Sequence, residues 1–238
     1  MNAKIAIVAA MERELKALIR DWHVFEREHS GRQFRFFERD NSVLVVGGIG
    51  AEPARRAAEA IISLYSPGLI VSAGFAGALD ISLRVGDPFV PGRVIDAGDG
   101  SVTETGIGSG ILVTSYSVIT AEQKRKLAAA YGAQAVDMEG AAVARAAKAH
   151  GIGFVSVKAI SDELSFDMPD LNPFVRDGEF QTARFVVHAI VRPHLWGIAL
   201  RMAKNSSKAA GTLARALEQY NRHPEFLENV SAGLHLNQ

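Results

Sequence analysis

Residues 4–10 read KIAIVAA, a short apolar run without polar alternation. Four further runs of this kind follow along the chain: SVLVVG at 42–47, GLIVSA at 68–73, ILVT at 111–114 and GFVSVKAI at 153–160. Continuous Val and Ile runs are typical of strands that are buried on both faces of a mainly parallel sheet. The sequence therefore predicts such a sheet as the core of the fold.

Helix-forming segments lie between these runs. Residues 12–20, 52–65, 121–131 and 139–150 are rich in Ala, Leu, Glu, Lys and Arg, and Thr120 is a predicted N-cap of the third segment. Strand and helix alternate over about 160 residues, which predicts a layered α/β domain. Residues 35–39 and 88–95 add strands that run antiparallel or bend the sheet.

Composition excludes several classes of protein. The chain has 238 residues, of which 48% are hydrophobic, and its 26 basic and 26 acidic residues cancel, so no nucleic-acid partner is expected. The absence of cysteine excludes disulfides and thiolate metal sites, and the seven scattered histidines predict no metal centre. No apolar run reaches the roughly 18 residues of a spanning helix, so we expect a cytoplasmic protein. The GIG at 48–50 lacks the full dinucleotide pattern, and no cofactor is expected.

Three carboxylates each come shortly after a predicted strand. Glu12 follows the first predicted strand, Glu139 follows the short run AVDM and opens a helix, and Asp162 follows the run at 153–160. Ligand sites of open α/β sheets form at the edge where the carboxyl ends of the strands meet. A single acid at a helix start is more often a cap, but three acids after three strands favour a shared site.

Five motifs then occur in the order of a known superfamily. They are AMERE at 10–14, GIG at 48–50, SAGFAG at 72–77, VDME at 136–139 and AISD at 159–162. Together they resemble the nucleoside phosphorylase/nucleosidase superfamily, and most of all the bacterial methylthioadenosine/S-adenosylhomocysteine nucleosidases. The resemblance implies a single-domain α/β fold with a mixed, partly barrel-like sheet flanked by helices, and a homodimer. Residues 1–168 would form the core, and 169–238 a helical C-terminal region that continues it.

The resemblance also implies roles for individual residues. Asp162 would protonate the leaving base, Glu139 would accept hydrogen bonds from the ribose hydroxyls with Met138 packed on the sugar, and Glu12 would activate the attacking water. Gly74 would let the backbone approach the sugar closely. The remaining substrate contacts that it implies are Ser161, Phe75, Val118, Ile119 and Ile49.

Four residues depart from the family pattern. Phe75 stands where a phosphate-contacting serine is usual, and Ser72 stands where phosphorylases carry an arginine. These departures favour water as the nucleophile, with phosphate left open as a co-substrate. Val118 and Ile119 align with the phenylalanine that stacks on the base in the nucleosidases, so the pocket for the 5′ group is expected to differ.

The C-terminal region resembles another branch of the superfamily. NPFV at 172–175, the segment 180–185, RPHLW at 192–196 and KNSS at 204–207 are similar to the hopanoid-associated phosphorylases. Residues 180–188, 195–204 and 208–220 are predicted helices. Residues 192–222 carry a net charge of +5 with Trp196 among the cations. These helices are either a solvated appendage or an interfacial pair that contacts an anionic lipid surface or a lipid-like substrate.

The sequence therefore predicts an enzyme that cleaves the N-glycosidic bond of a 5′-substituted adenosine, with an adenosylhopane-type substrate preferred. A methylthioadenosine/S-adenosylhomocysteine nucleosidase, a general purine nucleoside phosphorylase and a non-catalytic nucleoside-binding protein are the alternatives. The last of these is disfavoured because all three acids are present.

Overall fold

The computed structural model of the protein describes residues 5–167, 169, 171–176, 178–182, 184–185, 188, 192 and 195–222. The strands in these ranges are β1 Ile5–Ala9, β2 His23–His29, β3 Arg32–Arg39, β4 Ser42–Val46, β5 Leu69–Ala78, β6 Pro88–Phe89, β7 Arg93–Asp96, β8 Val102–Glu104, β9 Ile111–Thr114, β10 Ala135–Asp137, β11 Gly153–Asp162, β12 Val175–Arg176 and β13 Glu179–Phe180. The helices are α1 Glu12–Leu15, α2 Ala51–Tyr65, α3 Ala121–Tyr131, α4 Gly140–Ala149 and α5 Trp196–Arg222.

Strand β5 is the centre of an eleven-stranded mixed sheet in the described part of the chain. One edge of β5 pairs in parallel with β11 along nearly its whole length. Its other edge pairs in parallel with β1 over Leu69–Ala73 and then antiparallel with β10 at Gly77 and Ala78. Because one long strand serves three neighbours, the ends of β1, β5, β10 and β11 come together at one place.

The five apolar runs all form strands of this sheet, so the mixed α/β fold with a largely parallel core is confirmed. Strand β1 pairs in parallel with both β4 and β5, and β9 lies in parallel between β7 and β10. The segment 35–39 lies in the antiparallel strand β3. The segment 88–95 is divided between β6, which is antiparallel to β11, and β7.

The core lies on both faces of the sheet because side chains alternate along each strand. Ala6 and Val8 of β1 point toward a cluster that contains the buried faces of α2 and α4. Ile5 and Ile7 point the opposite way, toward a cluster that contains Leu15 of α1 and residues of α5. Helices α2 and α4 contribute many alanines to the first cluster, which lets them pack closely against the strands.

Helix α1 is shorter than predicted. The sequence predicts a helix over residues 12–20, but α1 ends at Leu15, and turns carry the chain on to Trp22. Leu18, Ile19 and Trp22 are all buried in the same cluster as Ile7. Turns replace the helix because these side chains fill the core immediately before the chain enters β2.

Helix α5 is one continuous element of 27 residues. The prediction of two helices separated by NSS at 205–207 is therefore wrong. Apolar residues recur at helical spacing beyond the polar triplet, and Ala209, Leu213 and Leu217 are buried in the core cluster of β11 and α1. Their burial continues the helix through residues whose own preference for helix is weak. The predicted helix over 180–188 is confirmed in part. Phe180 belongs to strand β13, the described residues Thr182, Arg184, Phe185 and His188 are helical, and residues 183, 186 and 187 lie outside the described part of the chain.

None of the described helices combines the length and the apolar composition that crossing a membrane requires.

Candidate active site

A cavity of about 680 Å³ lies where strands β1, β5, β10 and β11 end, with helix α5 along its other side. The cavity therefore occupies the sheet edge that the sequence predicts for a ligand site. The predicted site residues that line it are Ile49, Phe75, Val118, Ile119, Met138, Glu139, Ser161 and Asp162. Gly74 lies beneath the wall, and a Cβ atom there would stand 3.4 Å from an oxygen of Glu14.

Glu139 is held at the start of α4 by two backbone donors. Its Oε1 accepts a hydrogen bond from the Gly50 amide at 2.8 Å, and its Oε2 accepts one from the Met138 amide at 3.3 Å. Burial raises the pKa of Glu139 to about 7, and the negative charge of Asp137 adds to the rise. The carboxyl group of Glu139 is thus fixed in place, and its environment disfavours the charged form. A ligand that donates hydrogen bonds to Glu139 would stabilise that charge.

Glu14 lies at this site, and Glu12 does not. Glu14 is buried and lines the cavity, whereas the half-exposed side chain of Glu12 pairs with Arg35 at 3.0 Å on the outer surface. The expectation that Glu12 shares the rim with Glu139 and Asp162 is corrected on this point. Two residues apart on a helix are about 200° apart around its axis, so only one of the two acids can face the cavity.

The environment of Glu14 disfavours its charge. Burial raises its pKa to about 8, and the nearby charge of Glu139 contributes to the rise, while Lys158 opposes it. Its Oε2 accepts a hydrogen bond from the Met11 amide at 3.3 Å. A buried carboxyl with a pKa near neutrality is suited to accept a proton during a reaction.

A buried lysine of β11 neutralises part of this negative charge. Lys158 Nζ lies 2.8 Å from Asp137 Oδ2 and donates to Ser72 Oγ at 3.0 Å. Asp137 also accepts hydrogen bonds from the Gly140 amide and the Thr114 hydroxyl. The pairing of Lys158 with Asp137 was not predicted from the sequence. A lysine within a strand that is buried on both faces requires a partner, and this requirement could have indicated the pair.

Asp162 is engaged on both oxygens. Its Oδ1 accepts a hydrogen bond from Ser161 Oγ at 2.7 Å, and its Oδ2 forms an ion pair with Lys124 Nζ. Lys124 belongs to α3, which begins at the predicted N-cap Thr120, and it is only 2% exposed. The composition of residues 121–131 does not distinguish Lys124 from the other charged residues of this helix, so its contact with Asp162 was not predicted.

Most of the cavity's remaining wall is apolar, although Arg13, Ser117, Thr182, Asn205, Ser206 and Ser207 also line the cavity. Its wall toward α5 is formed by side chains that carry no charge, and they are Phe75, Val118, Ile119, Phe166, Leu171, Phe180, Phe185, Ala199, Met202, Ala203 and Ala210. The site thus has a charged end at the strand termini and an apolar arm beneath α5. Among the described residues, no group of three or more His, Asp or Glu side chains is arranged to hold a metal ion.

The family model of the Phosphorylase superfamily matches residues 4–119 and 97–190 of this chain. The chain belongs to this superfamily. A 5′-methylthioadenosine/S-adenosylhomocysteine nucleosidase of Staphylococcus aureus is 28% identical over 207 residues, which cover 68% of this chain and 90% of that protein.

Two solved structures show the superfamily fold. One is a Helicobacter pylori MTAN mutant with 5′-methylthioadenosine in its active site, with a TM-score of 0.71 and 19% identity over 94% of this chain and 100% of the other. The other is the futalosine hydrolase of Helicobacter pylori, with a TM-score of 0.69 and 19% identity over 91% of this chain and 96% of the other. The superfamily resemblance and the fold that it implies are confirmed.

Proposed function

We propose that this superfamily member cleaves the N-glycosidic bond of a 5′-substituted adenosine and releases adenine. The observation that carries the proposal is the buried Glu14 carboxyl, with its raised pKa, in one cavity with Glu139 and Asp162. The Staphylococcus aureus relative is named for action on two 5′-substituted adenosines, which supports this substrate class.

The three acids divide the chemistry among them. Glu139 accepts hydrogen bonds from the ribose hydroxyls, with Met138 against the sugar, and these bonds strengthen as positive charge develops on the ring. Glu14 removes a proton from the water that attacks the sugar carbon. Asp162, at the end of β11, delivers a proton to the departing purine, so that the base leaves as a neutral molecule.

The apolar arm supports a bulky hydrocarbon at the 5′ carbon. Ligand cavities typically enclose about 300–1,000 Å³, and their apolar walls select apolar groups. Phe75, Phe166 and Met202 provide such walls between the strands and α5. An adenosylhopane-type nucleoside of hopanoid biosynthesis is the preferred substrate. A methylthioadenosine/S-adenosylhomocysteine nucleosidase, with its smaller substrates, is the alternative.

Water is the favoured nucleophile. Phe75 places an apolar ring in the cavity wall, and the hydroxyl of Ser72 is already engaged by Lys158. The ammonium of Lys158 is in turn paired with Asp137, so it is not available to a phosphate ion. Phosphorolysis, with phosphate as co-substrate, is the alternative.

The proposal is tested by incubating the protein with adenosylhopane, 5′-methylthioadenosine, S-adenosylhomocysteine and inosine, with and without phosphate. We expect adenine and a free ribosyl product, with the highest kcat/KM for the substrate with the largest apolar 5′ group. Strict dependence on phosphate, with a sugar 1-phosphate as product, would replace hydrolysis by phosphorolysis. Tight binding of nucleosides without any release of base would indicate a nucleoside-binding protein that does not catalyse the reaction.

We further propose that α5 contacts an anionic lipid surface. Leu200 is 74% exposed and Trp196 is 56% exposed, and the exposed Lys204 lies one turn beyond Leu200. Each basic side chain near an anionic leaflet contributes on the order of 1 kcal/mol to membrane binding.

Homodimerisation and a cytoplasmic location stay predictions from the sequence.

Sedimentation with anionic vesicles tests the lipid contact. We expect weak binding at low salt that decreases at 1 M salt, because the Debye length falls from about 10 Å at 0.1 M to about 3 Å. The double variant Leu200→Ser/Lys204→Glu is expected to lose binding, whereas Arg39→Glu, a charge change of the same size on β3, is expected to keep it. No sedimentation of the intact protein at low salt would overturn the lipid contact, and the exposed face of α5 would then be in contact with solvent alone.

A further inference from the structure

Lys124 is the second charged group at the end of the cavity where the base is expected to leave. Its Nζ donates to Asp162 Oδ2 and to the Glu163 carbonyl at 2.8 Å. Its stem packs beside Gly77, where a Cβ atom would stand 3.3 Å from Lys124 Cε and 2.9 Å from Asp162 Oδ2. The small residue at 77 thus makes room for this ion pair.

The pairing creates a difficulty for proton donation by Asp162 alone. A carboxyl group that accepts a hydroxyl hydrogen bond on one oxygen and an ammonium on the other is held as the carboxylate, which has no proton to give. Two protons lie against Asp162, that of the Ser161 hydroxyl and that of the Lys124 ammonium, and an ammonium is a far stronger acid than an alcohol. An ion pair buried this deeply is costly to build for stability alone, since desolvation opposes the attraction between the charges.

We propose that Lys124 supplies, through Asp162, the proton that the departing purine takes up. The inference rests on the proposed function. As the bond between the sugar carbon and the purine breaks, its electron pair stays on the purine, which takes a proton from Asp162 while Asp162 takes one from Lys124 Nζ. On the other side of the sugar, water forms the new carbon–oxygen bond and gives its proton to Glu14. One proton leaves Lys124 and one reaches Glu14, and exchange with solvent restores both groups.

Lys124 is a positioning and proton-supplying residue in this scheme, because it acts through Asp162. Its contribution should therefore depend on how much the leaving group needs a proton. A purine needs one, whereas 4-nitrophenolate departs as a stable anion and needs none. A lysine with a purely structural role would affect both leaving groups alike.

The test compares Lys124→Met with the wild-type protein on two ribosides that share one 5′ substituent, 5′-methylthioadenosine and the matching 4-nitrophenyl riboside. We expect kcat for the purine substrate to fall by about 10²-fold, while kcat for the nitrophenyl riboside stays unchanged. Lys126→Met is the matched control, since Lys126 is on the same helix, is exposed and pairs only with Glu122 among the contacts described. It should be unchanged on both substrates.

A second variant tests whether the loss of activity in Lys124→Met comes from misfolding. Lys124→Gln keeps an N–H donor for Asp162 but cannot supply a proton, and it should show the same selective loss. Equal losses on both substrates, or an unchanged purine rate in both variants, would overturn the inference while wild-type activity upholds the proposed function. A wild-type protein that releases base neither from these ribosides nor from adenosylhopane would overturn the proposed function, and the inference with it.

Discussion

Replacing Glu14 by Gln is expected to lower the rate of adenine release by about 10²–10⁴-fold, because the amide cannot take the proton of the attacking water. Glu12→Gln is the matched control. It makes the same chemical change two residues earlier, on a half-exposed side chain that pairs with Arg35 outside the cavity. Steady-state rates of the two variants decide which acid of the AMERE motif serves the reaction. A large loss in Glu12→Gln with none in Glu14→Gln would contradict the structure.

The pH profile provides an independent measurement on the same residue. Glu14 must be charged to act as a base, so kcat/KM should rise with pH across the range set by the pKa values of Glu139, about 7, and Glu14, about 8. A rise of kcat/KM centred near pH 4.5, the ordinary pKa of glutamate, would contradict the assignment of Glu14 as the base.

The stability of the fold should change with pH in the opposite direction. The folded pKa of Glu14 lies above its ordinary value of 4.5, so between there and about 8 the folded state holds a proton that the unfolded chain has released. Stability therefore falls as the pH rises through this window. The Glu14→Gln variant lacks this titration, and thermal melts should show a shallower fall. At pH 8 it should be at least as stable as the wild-type protein.

Replacing Lys158 by Met is expected to cost about 3–5 kcal/mol of stability, because it leaves the buried carboxylate of Asp137 without its ion-pair partner. The two side chains are at most 1% exposed. The positive charge of Lys158 also lowers the pKa of Glu14, so its removal should raise that pKa further and move the acid limb of kcat/KM to higher pH. Denaturant unfolding and the pH profile measure the two effects.

Lys148→Met is the control for this change. Lys148 is an exposed residue of α4, and a surface substitution of this kind usually alters stability by no more than about 0.5 kcal/mol. A double variant, Lys158→Met/Asp137→Asn, removes both charges and should recover much of the lost stability. Equal stability of Lys158→Met and Lys148→Met would show that the buried pair is not held as ions.

The fold could be predicted from the sequence to a large extent because its strongest signals are local. The five apolar runs form strands, and Thr120 caps α3 by accepting a hydrogen bond from the Gln123 amide. The short α1 and the uninterrupted α5 could not be predicted in this way. Their bounds depend on which side chains the core accepts, and that is a property of distant segments such as β11.

The candidate site, like the fold, could be predicted from the sequence only in part. Glu139, Ser161 and Asp162 share one cavity because β11 ends in Ser161 and Asp162 beside Gly77 of β5. The antiparallel strand β10, which Glu139 follows closely, pairs with β5 at the same residue. The choice between Glu12 and Glu14 depends on the rotation of a single helical turn about its axis, which acid composition does not reveal. The pairs Lys158 with Asp137 and Lys124 with Asp162 join segments that are far apart along the chain.

Helix α5 is divided along its length. Its first half, with Ala199, Met202 and Ala203, lines the cavity, and its second half, with Leu213 and Leu217, lies in the core. Substitutions in the first half can therefore alter the space available to a substrate while the residues that fasten the helix remain in place. Ala199, Met202 and Ala203 are thus the positions at which substitution can reshape the proposed pocket for the 5′ group while the second half of α5 stays packed in the core.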